Sequence, residues 1–367
     1  MKIIFDHQIF TQQIYGGISR YYCELAAALS VHEAQDVKIA ASLHINDYLG
    51  ASSELSSRNF KLPAAASALR ISQKFIGLID TVASRLSTRL SMPDVIHETF
   101  YSSHPIINRG SRRILTVYDM INEIFSDSFP TSDRTSVQKK IAVLRADHII
   151  CISERTQQDL IERFRVSPNR TSVVHLGISS LPSPTAPPPR NTIPYFLYVG
   201  SRFGYKNFTA FIRAFASSHS LTRDFRVICL GGGGFSESEN DLFSRIGITP
   251  RHIEYTSGSD SVLAYLYRYA SAFIYPSLYE GFGIPPLEAM SCGCPVACSN
   301  TGSIPEIVGQ SAKFFDPYEV ASIVSSLEAV VYNSSLRERL IRSGIHQSKL
   351  FTWKRCARET LAIYEAC

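Results

Sequence analysis

At 367 residues, with 45% hydrophobic and 19% charged residues, the chain has the length for two domains with full cores and an ordinary globular composition, which excludes a disordered polymer. Its formal net charge of +5 suits an anionic ligand or a membrane surface but is too small to argue for nucleic acid, and none is expected as a partner. No stretch approaches the ~20 apolar residues of a membrane span. The apolar start at Met1 is too short for a signal peptide. A cytoplasmic protein is therefore expected, with peripheral contact at the inner face of the membrane left open.

In chain order, short apolar runs read as strands at Lys2–Phe5, Val37–Ala41, Asp94–His97, Ile114–Val117, His148–Ile152 and Ser172–His175. Between them Ile18, Tyr22, Leu25 and Leu29 recur at helical spacing. Such alternation predicts an α/β fold of parallel sheets with crossover helices. Gly16 and Gly17 follow the first strand and open a helix, where a backbone without side chains can approach a phosphate; a plain tight turn is the alternative. Between Leu62 and Leu90, Arg70, Lys74, Arg85 and Arg89 interleave with apolar residues, as in a helix lying on anionic lipid or one packed on the first domain. Asp119 and His97 fall at the carboxyl ends of expected strands, where either can orient or deprotonate a hydroxyl, although a satisfied core position is equally open to His97. Ser153 is expected to cap a helix.

The proline-rich run Leu181 to Pro189 reads as an extended linker, dividing a first domain at residues 1–185 from a second at 186–350. The strand pattern then restarts at Tyr195–Val199, Phe225–Leu230, Ala272–Tyr275, Pro295–Cys298 and Lys313–Phe315. Arg202 and Lys206 follow the first of these and offer two cations to a diphosphate. Gly231 to Gly234 lack dinucleotide spacing and read as a flexible loop. Beyond the strand Ala272–Tyr275, Glu280 and Glu288 bracket Gly281, Phe282, Gly283, Ile284 and two prolines, which places Glu280 on a loop at a strand's carboxyl end and Glu288 in the opening turn of a helix. Carboxylates so placed can grip vicinal hydroxyls, while the helix N-terminus favours a phosphate. Cys292, Cys294 and Cys298 lack a second ligand pair, and no metal is expected there. Residues 351–367 read as a closing helix with Trp353, Ala357, Leu361 and Tyr364 on one stripe.

Four segments together resemble the retaining GT-B glycosyltransferases, in particular the mannosyltransferase-like members of family 4 that build bacterial polysaccharide and O-antigen. They are Tyr15 to Arg20, Ala146 to Glu154, Tyr198 to Arg202 with Tyr205 to Asn207, and Tyr275 through Glu306. The resemblance implies two doubly wound Rossmann-like domains facing across a cleft, with the last helix crossing back to the first domain. It implies Gly16, Gly17, Arg202, Lys206, Phe282, Gly283, Ile284 and Glu288 as donor-binding residues, and Glu280 as catalytic together with Asp119 or His97. Relatives carry His before the residue equivalent to Asp119, whereas this chain has Tyr118.

The expected reaction is metal-independent transfer of a sugar, favoured as mannose from a GDP-sugar, to a glycan or lipid-linked glycan, with no cofactor beyond the donor itself. A UDP-sugar donor, a sugar-nucleotide epimerase, a silent nucleotide-sugar-binding subunit and a dinucleotide oxidoreductase are the alternatives, the last disfavoured by the glycine spacing.

Overall fold

A computed structural model describes residues 1–31, 34–51, 60–61, 91–103, 110–183 and 193–367. The chain divides into two compact units, Met1–Gly177 with Thr352–Cys367, and Ile178–Phe351. The division falls before the proline run, so the first boundary expected at residue 185 moves to Gly177. The basic stretch between Leu62 and Leu90 lies outside the described residues.

In the first unit the strands are β1 (Lys2–Phe5), β2 (Asp36–Ile39), β3 (Leu43–His44), β4 (Phe60–Lys61), β5 (Val95–Glu98), β6 (Arg112–Val117), β7 (His148–Cys151) and β8 (Thr171–Val173). Six of them form one parallel sheet in the order β2-β1-β5-β6-β7-β8, and β3 pairs only with β4. Parallel strands covered on both faces must be apolar throughout, as Val95–Glu98 shows: even its His and Glu are buried. The helix Gly17–Ser30 packs Tyr21, Tyr22 and Leu25 inward, and the closing helix Trp353–Ala366 lies against it. Gly177 allows this return, because a Cβ there would come within 2.3 Å of the Trp353 backbone nitrogen.

The second unit repeats the plan with β9 (Tyr195–Val199), β10 (Arg226–Leu230), β11 (Ile253–Thr256), β12 (Ala272–Tyr275), β13 (Val296–Ser299) and β14 (Lys313–Phe315), all parallel in the order β11-β10-β9-β12-β13-β14. Phe196, Phe208, Phe211 and Phe215 fill the core on one face of this sheet. Strand order reverses between β9 and β12, so the loops that leave their carboxyl ends mark the switch point at which open α/β sheets bind ligands. Among the described residues no helix is long and apolar enough to cross a membrane.

His97 closes the core of the first unit. It is wholly buried, with Nδ1 2.6 Å from the Tyr364 hydroxyl and Nε2 2.8 Å from Thr116 Oγ1. Burial pushes its imidazole down to about 3 from an ordinary 6.5. The folded chain therefore keeps it neutral where the unfolded chain takes up a proton. Its contribution to stability is complete above about pH 6.5 and is lost as pH falls toward 3, at up to about 1.4 kcal/mol per pH unit. Urea unfolding of the wild type and His97→Gln at pH 7 and pH 5 checks this: the wild type should lose more stability on acidification, and parallel losses would refute it.

Candidate active site

The switch point of the second unit brings two sequence candidates into contact. Lys206 lies beyond β9 and Glu280 beyond β12; the ammonium donates to Glu280 Oε1 at 2.7 Å. The Tyr275 hydroxyl also bonds Glu280, and burial together with the Glu280 charge raises the phenol well above its ordinary range. Lys206 Nζ stands 5.1 Å from the centroid of the Tyr205 ring. The two loops are joined through the backbone, Leu278 N donating to Tyr205 O at 2.8 Å.

A third loop fixes the backbone that carries the carboxylate. Ser303 Oγ donates to the carbonyls of Glu280 at 2.9 Å and Phe282 at 2.8 Å. Gly302, at φ +62°, approaches so closely that a Cβ would stand 3.0 Å from Glu280 N and 3.2 Å from its carbonyl oxygen. Gly283, at φ 117°, starts the helix Ile284–Ser291, whose first turn holds Pro285 and Pro286. The Phe282 ring is buried 5.8 Å from that of Phe351, so this donor candidate anchors the loop by its side chain. Ile284 is half-buried. Glu288 falls in the second turn of the helix and not in its opening turn, because the helix begins at Ile284 rather than at the prolines. It is buried, and its charge reaches Tyr267 and Cys292.

Arg202 corrects a second expectation. Its guanidinium does not stand free beside Lys206 but turns into the glycine run, donating to the carbonyls of Gly231 (3.1 Å), Gly233 (2.9 Å) and Gly234 (2.8 Å) and to Glu239 Oε1 (2.6 Å). Positive φ at Gly231, Gly232 and Gly233 aims those carbonyls inward. The run is thus an ordered cradle rather than a flexible loop. Burial raises the Glu239 carboxyl, but its bonds with Arg202 and Ser236 outweigh this and leave it below the ordinary range.

In the first unit Gly16 is the N-cap of the helix Gly17–Ser30, with no side chain capping the first turn. A Cβ on Gly16 would strike the Gln13 side chain, while Gly17 is open and exposed. Asp119 is part-exposed; its Oδ1 accepts from Ile121 N at 2.9 Å and lies 3.8 Å from Lys139 Nζ. His97 is removed from the catalytic candidates, since both ring nitrogens are engaged inside the core. Tyr118 is likewise a packing residue, buried among Tyr21, Tyr22 and Tyr101. Sequence reasoning gave no role to Gly302, Ser303, Glu239 or Lys139; only the run Thr301-Gly302-Ser303, turn residues beyond a strand, carried a local signal. Among the described residues no three His, Cys, Asp or Glu side chains gather as metal ligands.

Two all-parallel units of this kind have the GT-B architecture of the solved structures they superpose on. The model of "Glycosyltransferase Family 4" matches residues 15–180 and that of "Glycosyl transferases group 1" residues 185–347; the chain belongs to the glycosyltransferases that join these two domains. It is 28% identical to the O-antigen chain mannosyltransferase B of Escherichia coli over 100% of both chains. Identity is 30% with an MMP alpha-(1->4)-mannosyltransferase of Mycolicibacterium hassiacum, over 62% of this chain and 56% of that one. A sucrose-phosphate synthase structure from Thermosynechococcus elongatus superposes with a TM-score of 0.78 at 17% identity, covering 100% of this chain and 98% of the other.

Gly302→Ala tests the clamp on Glu280. Forcing a side chain into the left-handed region costs about 1–2 kcal/mol, and its Cβ pushes on the Glu280 backbone. Lower thermal stability together with reduced sugar transfer is expected; wild-type values for both would show that the close approach is not required.

Proposed function

We propose that this glycosyltransferase moves mannose from GDP-mannose to a glycan or lipid-linked glycan of a surface polysaccharide, with retention of configuration and without a divalent metal. The observation that carries the reading is the Lys206–Glu280 pair at the switch point of the second unit. Both curated relatives described above are mannosyltransferases, one of them acting on O-antigen, and this favours mannose and its usual nucleotide.

In this reading Glu280 takes hydroxyls of the donor sugar. Its backbone is held by Ser303 and Gly302 and its carboxylate by Lys206 and the Tyr275 hydroxyl, so its position is set before substrate arrives. Lys206 supplies the cation for the departing diphosphate, and at the start of Ile284–Ser291, where Pro285 and Pro286 carry no N–H, the Ile284 amide is the main-chain donor. The bond from the anomeric carbon to the phosphate oxygen breaks as the acceptor oxygen adds on the same face. The acceptor proton passes to the departing phosphate, so a neutral, buried His97 is not needed as a base.

Glu280→Ala should lower mannose transfer from GDP-mannose by about a hundredfold or more while circular dichroism stays native. Near-normal turnover would remove Glu280 from the mechanism. EDTA should leave the wild-type rate unchanged, and NMR of the product should show the α anomer. Loss of activity in EDTA, restored by magnesium, would overturn metal independence.

A further inference from the structure

Away from the switch points, the first unit holds a cavity of about 640 Å³ between the short helix Ile121–Ile124, the following turn, and the helices Thr135–Arg145 and Glu154–Phe164. That volume lies within the ~300–1,000 Å³ of small-molecule sites. Glu123 lines it, with its side chain only 7% exposed. One carboxylate oxygen, Oε2, receives Lys139 Nζ at 2.7 Å; the other, Oε1, is buried and has no hydrogen-bond partner among the described residues. A carboxylate oxygen withdrawn from water without a donor is costly, and rotation of the Glu123 carboxylate toward the cavity lets a ligand O–H or N–H satisfy it.

The rest of the lining narrows the ligand. Phe129 and Phe164 are half-buried and present apolar ring surface. Asn122 and Asp133 meet at 3.2 Å, which leaves further amide and carboxylate capacity beside them. Hydrogen bonds from Thr135 hold the Asp133 carboxyl below its ordinary range, so it is ionised at neutral pH. Two carboxylates face Arg163 in the wall and Lys139 behind it, a near balance of charge. A phosphate would meet the unpaired Glu123 oxygen. A neutral polyhydroxyl ligand instead gives hydroxyls to Glu123 and Asp133 and lays its C–H face on the phenyl rings, which is the chemistry of a pyranose.

We propose that this cavity is a glycan-binding subsite that holds sugar units of the acceptor set back from the reacting hydroxyl. It rests on the reading of the chain as a transferase acting on glycans. Lys139 links the subsite to Asp119: the same ammonium that bonds Glu123 donates to the Asp119 carbonyl at 2.9 Å. The wall of the cavity is therefore continuous with the residue expected to meet the acceptor.

The test uses the full-length protein with an α-linked mannotriose and methyl α-mannoside as probes. Binding is read by saturation-transfer NMR without donor, and KM for each acceptor is read with GDP-mannose. Three variants are compared: Glu123→Gln; Phe129→Ala; and Thr131→Trp, which fills the cavity from an exposed position and leaves the core untouched. Wild type should bind mannotriose, and each variant should weaken this by about tenfold and erase the KM advantage of mannotriose over the monosaccharide, as expected for one lost hydrogen bond to a charged group. Mannotriose binding that the variants abolish, in a protein that transfers no mannose, would uphold the subsite and sink the mannosyl reading. Wild-type mannotriose binding and KM in Thr131→Trp and Phe129→Ala, with transfer intact, would overturn the subsite alone; absence of mannotriose binding by the wild type would overturn it as well.

Discussion

A part-exposed cation and a buried carboxylate 2.7 Å apart, Lys206 and Glu280, set the constraint around which the second unit is arranged. Taking the carboxylate from water is costly, and its attraction to the ammonium returns this only where geometry is tightly held. The surrounding structure supplies that hold: β9 and β12 are direct neighbours, Leu278 bonds Tyr205 across the loops, and Ser303 grips the chain on both sides of Gly281. Residues 74 positions apart are thus brought together by strand order. In the proposed mechanism the pair serves as a positioned charge for an anion and a polyol.

The two units share a topology and differ in what their switch points do with charge. In the first unit Asp6 ends β1 wholly buried, accepting from Thr99 N at 2.9 Å and from the Thr99 hydroxyl and the Gln8 side-chain amide. That carboxylate is saturated by its own loops and offers nothing outward. What this unit presents instead is the bare helix start at Gly17 and the part-exposed Asp119.

Strands with continuous apolar runs were the most legible elements: β1, β9 and β12 have the bounds that these runs predict, as does the short edge strand β14. The edge strand β11 escaped because Ile253-Glu254-Tyr255-Thr256 is half solvated and lacks a continuous apolar run. The site residues Glu280 and Lys206 were found from the residue string around them, yet their mutual bond was not, since nothing local specifies that β9 and β12 are neighbours. Arg202 was misplaced for a related reason: a guanidinium goes to whatever acceptors stand within reach, and the inward carbonyls of Gly231, Gly233 and Gly234 exist only once three glycines adopt positive φ. His97 sits at the end of an apolar strand, which is compatible with a cleft or a core; the partner that decides, Tyr364, lies 267 positions away. The domain boundary followed the prolines in sequence, but compactness places it earlier, where Gly177 meets the returning helix.

The return of Trp353–Ala366 makes the first unit discontinuous, while the second is one unbroken segment. As the polypeptide leaves the ribosome, the amino-terminal sheet emerges first but lacks the tyrosine that bonds its central histidine until Tyr364 is made. Translation order and completion order are therefore inverted: the second unit is one unbroken segment, and the first waits for the helix Trp353–Ala366. A stop codon ahead of Tyr364 would injure the unit that begins at Met1.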